Sequence, residues 1–139
     1  MQSRLVLTPP GGSAGAAGSG DVEASDLMNL TLRPDLVVLS GCDTARGRIG
    51  DGEGLIGLSW ALFVAGAPSL VVSQWSVTSE STAALMREFH GRLKASLKTS
   101  GRVEHRASAL RGAALSLLSN PFYSHPFYWA AFVVMGDGS

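Results

Sequence analysis

Two apolar runs, Leu36-Val37-Val38-Leu39 and Leu70-Val71-Val72, are separated by one helix-length stretch, Leu55 to Ala65. This spacing constrains the fold more than any other feature of the chain. Short unbroken runs rich in β-branched residues read as strands buried on both faces. Strand, helix, strand over so short a distance is a βαβ unit, which predicts parallel pairing with a right-handed crossover. Gly66 is placed to stop the helix, and Pro68 bars its continuation.

The first of these strands leads into Ser40-Gly41-Cys42-Asp43-Thr44, and Cys42 is the only cysteine of the chain. Gly41 allows a sharp turn and leaves room beside the sulfur. Ligands and chemistry collect beyond the carboxyl ends of parallel strands, so Cys42 stands where a nucleophile would stand. Free cysteines are also common as small buried hydrophobes, and position alone leaves both readings open.

The chain has 139 residues, 45% of them hydrophobic, which is enough for one domain with a core and too few for two. A formal net charge of zero lacks the basic footprint of a nucleic-acid or membrane-surface protein. One cysteine cannot form an internal disulfide, which fits a reducing, cytoplasmic setting. His90, His105 and His125 are widely spaced and Cys42 has no metal-ligand partner near it in sequence, so neither a metal nor another cofactor is expected. The apolar runs are too short to span a membrane, and the first residues lack the apolar core of a signal peptide.

Around the βαβ unit the chain reads as follows. Arg4 to Leu7 is a short strand. Residues 8–20, Pro-, Gly-, Ala- and Ser-rich, form a flexible loop. Leu27 and Leu30, with Val22, would form the apolar face of a short helix ended by Pro34. Arg46 to Gly54, with its glycines and charges, is a mobile surface loop. A helix over Thr82–Ser96, capped by Ser79 or Ser81, has Leu85, Phe89 and Leu93 on its apolar face with Met86 alongside. A turn at Lys98–Gly101 precedes a helix over Val103–Leu118, with Ala107, Leu110, Ala114, Leu117 and Leu118 inward. Its many alanines predict close approach to a neighbour. Trp129 to Met135 is a third strand. No internal repeat stands out. No Gly-x-Ser-x-Gly elbow is present, and Gly50-x-Gly52-x-Gly54 does not follow a strand directly, which speaks against an α/β-hydrolase or a nucleotide-binding domain.

Four blocks in order carry a family resemblance. Leu36 to Thr44 resembles the cysteine box of CHAT domains, caspase-like peptidases found beside tetratricopeptide (TPR) repeats and related to separases. Gly52-Glu53-Gly54-Leu55 is similar to that family's turn into a helix. Ala65 to Val77 resembles its strand ending in Trp-x-Val. Tyr128 to Gly136 resembles its closing strand. The match runs from about Asp35 to Gly136. The resemblance implies an α/β fold, a caspase-like α/β/α sandwich with a parallel-rich sheet, in which residues 1–139 are the C-terminal part of one domain and the sheet is incomplete at its N-terminal side.

It also implies a cysteine endopeptidase using a Cys-His dyad, with Cys42 as nucleophile. The family's histidine lies upstream of the cysteine in a Thr-His-Gly block, and no histidine precedes Cys42 here. The expectation is a chain inactive alone, completed by a histidine-bearing segment, with a non-catalytic interaction module as the alternative. A protein or peptide substrate, and a TPR or other upstream domain, would be its partners, with no nucleic acid and no membrane. Asp43 either orients the nucleophile or caps the following loop. Trp75, Ser76, Ser79 and Glu80 would line the cleft. Trp75 reads either as a pocket wall or, the preferred reading, as a core aromatic with its N–H bonded. Where Ser79 stands the family commonly carries an aspartate, which in separases contacts a basic P1 side chain. A hydroxyl offers an arginine no charged partner, so a strict basic preference is not expected unless Glu80 or Asp51 substitutes.

Overall fold

A computed structural model describes residues 4–6, 20–40, 53–100 and 105–138. Their elements are β1 (Arg4–Val6), β2 (Asp21–Glu23), α1 (Ala24–Met28), β3 (Val37–Leu39), α2 (Glu53–Val64), β4 (Ser69–Ser73), α3 (Ser79–Ser100), α4 (Arg106–Leu118), a 3-10 turn (Pro126–Tyr128) and β5 (Phe132–Gly136). They fall into two compact units. The expected loops at residues 8–20 and Arg46–Gly54 lie largely outside the described residues, as do Cys42, Asp43 and Asp51.

In the first unit β1 and β2 form an antiparallel ribbon, with Leu5 opposite Val22. Val22 therefore belongs to a strand, not to the face of a helix, because its branched side chain pairs across the ribbon. Helix α1 has five residues and buries Leu27 alone. Leu30 lies beyond its end and is exposed, its N–H bonded back to the Leu27 carbonyl. The Glu23 N–H donates to Asp26 Oδ2 at 2.9 Å and fixes the helix entry.

Helix α2 buries Leu58, Ala61 and Leu62, with Ala65 buried just past its end, and leaves Trp60 exposed. At its end Gly66 N–H donates to the Phe63 carbonyl and Ala67 N–H to the Leu62 carbonyl, each at 3.0 Å. That pair is a Schellman motif, and it requires the positive φ of 106° that Gly66 adopts. Leu32 N–H adds a 2.7 Å bond to the Ala65 carbonyl beside this turn.

In the second unit the sheet order is β3–β4–β5. β3 and β4 are parallel with Val38 opposite Val71, as the βαβ spacing predicts. β5 returns antiparallel to β4, with Val134 opposite Val71. All five residues of β4 are buried. β3 was expected to be buried on both faces, yet its three residues are only half-buried. The difference follows from position, since β4 is the central strand and β3 is an edge among the described residues.

The core of this unit gathers Val71, Leu85, Phe89, Leu110, Leu117 and Phe132, with Leu93, Met86 and Trp75 packed against it. Helix α3 thus presents the expected face, although it runs on to Ser100 through the expected turn. Helix α4 turns Leu110 and Leu117 inward as expected but differs in the residues around them. Ala109, Leu110, Ala113 and Leu117 are buried, while Ala107 and Leu118 are exposed and Ala114 is half-buried. Alanines carry little hydrophobic signal, so the periodicity could not fix the stripe. Small side chains and Gly112 let α4 approach α3, where a Cβ on Gly112 would meet the Arg92 guanidinium at 2.6 Å.

The start of α3 differs from expectation in one residue. Neither Ser79 nor Ser81 caps it. Thr78 does, its Oγ1 accepting from Ser81 N–H at 3.4 Å and sharing a 2.9 Å hydrogen bond with Ser81 Oγ. Ser81 itself is fully buried and its hydroxyl also donates to the Thr78 carbonyl at 3.1 Å. Thr78→Ala is expected to lower stability by about 1 kcal/mol and Thr78→Ser by much less. Equal urea midpoints for the alanine variant and the parent would contradict this cap.

Candidate active site

Leu39 stands opposite Val72, so the chain leaves β3 and β4 at the same edge of the sheet. Beyond β3 come exposed Ser40 and, outside the described residues, the sequence containing Cys42 and Asp43. Beyond β4 come Gln74 and Trp75. Because β5 is antiparallel and Phe132 pairs with Ser73, the residues preceding β5 also arrive at this edge. The Gln74 N–H donates to the Ala131 carbonyl at 2.8 Å and ties the two arrivals together.

Trp75 is half-buried against the core, and its indole N–H donates to the Phe127 carbonyl at 3.1 Å. Its ring packs and its polar atom is satisfied, so it holds the turn before β5 in place. After it, Ser76, Thr78, Ser79 and Glu80 are exposed while Val77 is buried. Val77 is the anchor that pulls this loop down onto the core. Ser79 and Glu80 occupy the first turn of α3, where a carboxylate complements the helix dipole.

The three histidines are not gathered. His90 lies exposed on α3 with its ring edge against Phe89, centroids 5.2 Å apart. His105 is exposed at the start of α4. His125 precedes the turn at the sheet edge, and its Nδ1 accepts the Phe127 N–H at 3.1 Å. A neutral imidazole that accepts at Nδ1 carries its proton on Nε2. His125 Nδ1 is thus engaged by the backbone of its own turn. No group of three or more His, Cys, Asp or Glu side chains suited to a metal occurs among the described residues, and no described helix is long and apolar enough to cross a membrane.

Sequence reasoning missed Phe127, whose carbonyl receives the Trp75 indole and whose ring is partly exposed at this edge. Its signal was the doubled Pro-Phe-Tyr at 121–123 and 126–128, a repeat too short to register as one.

The CHAT domain model matches residues 1–137. The chain is 35% identical over 115 residues to the mouse protein Tetratricopeptide repeat protein 28, covering 82% of this chain and 4% of that protein. It is 32% identical to the human protein of the same name over 115 residues, with the same 82% and 4% coverage. The chain thus spans a small fraction of the length of these relatives. No solved structure matches. With the family model covering nearly every residue and an α/β core built around a parallel β3–β4 pair, the chain belongs to the CHAT domain family, whose fold is caspase-like.

Proposed function

We propose that Cys42 is the nucleophile of a caspase-like cysteine endopeptidase site whose imidazole comes from outside this chain. The observation that carries the reading is the shared edge: the strand leading to Cys42 and the loop from Trp75 to Glu80 leave the sheet side by side. A thiolate there attacks the peptide carbonyl carbon, backbone N–H groups hold the resulting oxyanion, the C–N bond breaks, and the imidazolium returns its proton to the leaving amine. Water then hydrolyses the thioester. His90 and His105 lie on α3 and at the start of α4, and His125 spends its Nδ1 lone pair on Phe127. The chain alone is then a poor peptidase with an ordinary thiol, and the single cysteine suits a cytoplasmic setting.

The test is the pH profile of Cys42 alkylation by iodoacetamide, on this chain and on the chain with the polypeptide encoded immediately upstream. The expected result is an ordinary thiol alone and at least about a tenfold faster reaction at neutral pH when the second piece is present. An unchanged profile in both states would remove the dyad.

A second reading, a non-catalytic interaction module within a TPR protein, is favoured by one observation. Ile56, Trp60 and Val64 recur every fourth residue of α2 and all three are exposed, as on a helix that meets a partner. The match to two proteins named for tetratricopeptide repeats supports the presence of such repeats elsewhere in the parent protein.

A further inference from the structure

Two successive turns of the chain are built alike. In Asn120-Pro121-Phe122-Tyr123, Asn120 Oδ1 accepts the Phe122 N–H at 3.0 Å and the Asn120 carbonyl accepts the Tyr123 N–H at 2.9 Å. In His125-Pro126-Phe127-Tyr128, His125 Nδ1 accepts the Phe127 N–H at 3.1 Å and the His125 carbonyl accepts the Tyr128 N–H at 3.1 Å. Each proline fixes φ at the first turn position, and each preceding side chain caps the turn. The two caps differ in one chemical respect. An amide oxygen accepts whatever the pH, whereas Nδ1 accepts only while the imidazole is neutral. A protonated ring sets its own Nδ1–H against the Phe127 N–H, donor to donor.

The peptide unit that joins Pro126 to Phe127 is held on both sides. His125 Nδ1 takes its N–H, while its carbonyl accepts the Trp129 N–H at 3.2 Å and the Ala130 N–H at 2.8 Å. The next carbonyl, that of Phe127, receives the Trp75 indole at 3.1 Å. Release of the Phe127 N–H is therefore passed to Trp75, which opens the loop beside the candidate active site. The charged and titratable side chains of the adjoining segments are Tyr123 and Tyr128 in the turns, Glu80 at the start of α3, and Arg87 and Glu88, which line a pocket with Asn120 and Tyr123. Strands β4 and β5 and residues 112–118 of α4 carry none. None of the five is hydrogen-bonded or ion-paired to His125 among the described residues. His125 is exposed, so a proton reaches its ring without unfolding of the chain.

We propose that His125 is a proton-sensitive latch: the neutral imidazole holds the Phe127 turn, and through it Trp75, and protonation releases both. The latch is closed at neutral pH and opens as the pH falls, because only the neutral ring accepts the Phe127 N–H. Asn120 makes the first turn its built-in contrast, a cap of the same geometry that no proton can open. The latch belongs to the turn and holds whether or not Cys42 cleaves peptides. Its consequence for catalysis, a cleft ordered on its Trp75 side only near neutral pH, rests on the peptidase reading. His125 is then a positioning residue, acting on Trp75 through the backbone of Phe127.

The test follows hydrogen exchange of the Phe127 N–H and the Trp75 indole N–H by NMR on the full chain, between about pH 8 and about pH 5. Rates are corrected for the intrinsic pH dependence of exchange and referred to the amides of Leu70, Val71 and Val72 in β4, so that global loosening cancels. Protection at both positions is expected to fall about fivefold on the acid side. His125→Asn should hold it constant across the range, because asparagine makes the same bond in the first turn. His125→Ala should show the lower protection throughout. Constant protection in the parent chain would overturn the latch. So would a fall that persists in His125→Asn, since another group would then be titrating, or a response at Phe127 that does not reach Trp75. Cys42 alkylation plays no part in this readout, so the latch and the peptidase reading fail separately.

Discussion

Phe89→Ala is expected to cost about 3–5 kcal/mol, the largest stability loss from any single truncation considered for this protein. Phe89 is fully buried near the middle of α3, within the cluster that includes Val71 of β4, Leu110 and Ala113 of α4, and Phe132 of β5. Its ring fills space between both helices and the sheet. Removing it leaves a cavity that rigid strands and two packed helices cannot close. A domain of this size has about 5–15 kcal/mol in total, so the variant should retain at most a weak unfolding transition. Leu97→Ala is the control. Leu97 lies on the same helix but is about half exposed, and its loss should stay within about 0.5 kcal/mol. Urea denaturation followed by circular dichroism measures both. A Phe89→Ala midpoint within error of the Leu97→Ala midpoint would show that the core is not organised around α3.

Gly66→Ala is the second large effect, expected at about 2–4 kcal/mol. Two independent costs add. At φ of 106° a side chain meets its own backbone. The added Cβ would also lie 2.5 Å from the Leu32 carbonyl oxygen, a main-chain atom held by the neighbouring Leu32 to Ala65 hydrogen bond. Relieving the contact means opening the Schellman turn that ends α2. Gly91→Ala is the contrast, because a Cβ there meets nothing within 4 Å and α3 gains a better helix former. Gly91→Ala should be neutral or slightly stabilising. Thermal unfolding of the pair separates the explanations: equal losses would mean that helical glycine in general, and not the turn, is being measured.

Much of the architecture was legible before any coordinates. Short apolar runs rich in β-branched residues favour the extended chain, and they became β3, β4 and β5. Leu85, Phe89 and Leu93 mark one face of α3 because large apolar side chains at helical spacing leave no second choice. Gly66 followed by Pro68 announced the end of α2. The family was also legible, since four blocks in fixed order are a pattern that composition does not produce by chance.

Other features were not. Leu110 and Leu117 face inward as expected, but the alanines around them differ from expectation, because Ala107, Ala109, Ala113 and Ala114 look alike to any hydrophobic pattern. Only burial in the core cluster distinguishes Ala109 and Ala113 from the others. Val22 reads equally as helix or strand until Leu5 is seen opposite it. Thr78, Ser79 and Ser81 are all competent caps, and the burial of Ser81 beneath Thr78 decides among them.

The candidate site divides in the same way. Sequence placed a cysteine after one parallel strand and a tryptophan after the next, and the shared edge follows from the parallel pairing that the βαβ spacing dictates. The direction of β5 was not encoded in its own residues, because an apolar strand pairs either way. Once it runs antiparallel to β4, the segment from Asn120 to Ala131 is carried to that same edge, and His125 becomes a backbone cap while Phe127 becomes exposed ring and pinned carbonyl. Local sequence determined what each segment could be, because periodicity and turn chemistry act over a few residues. Tertiary structure alone decided which segments meet, because that depends on contacts between residues dozens of positions apart.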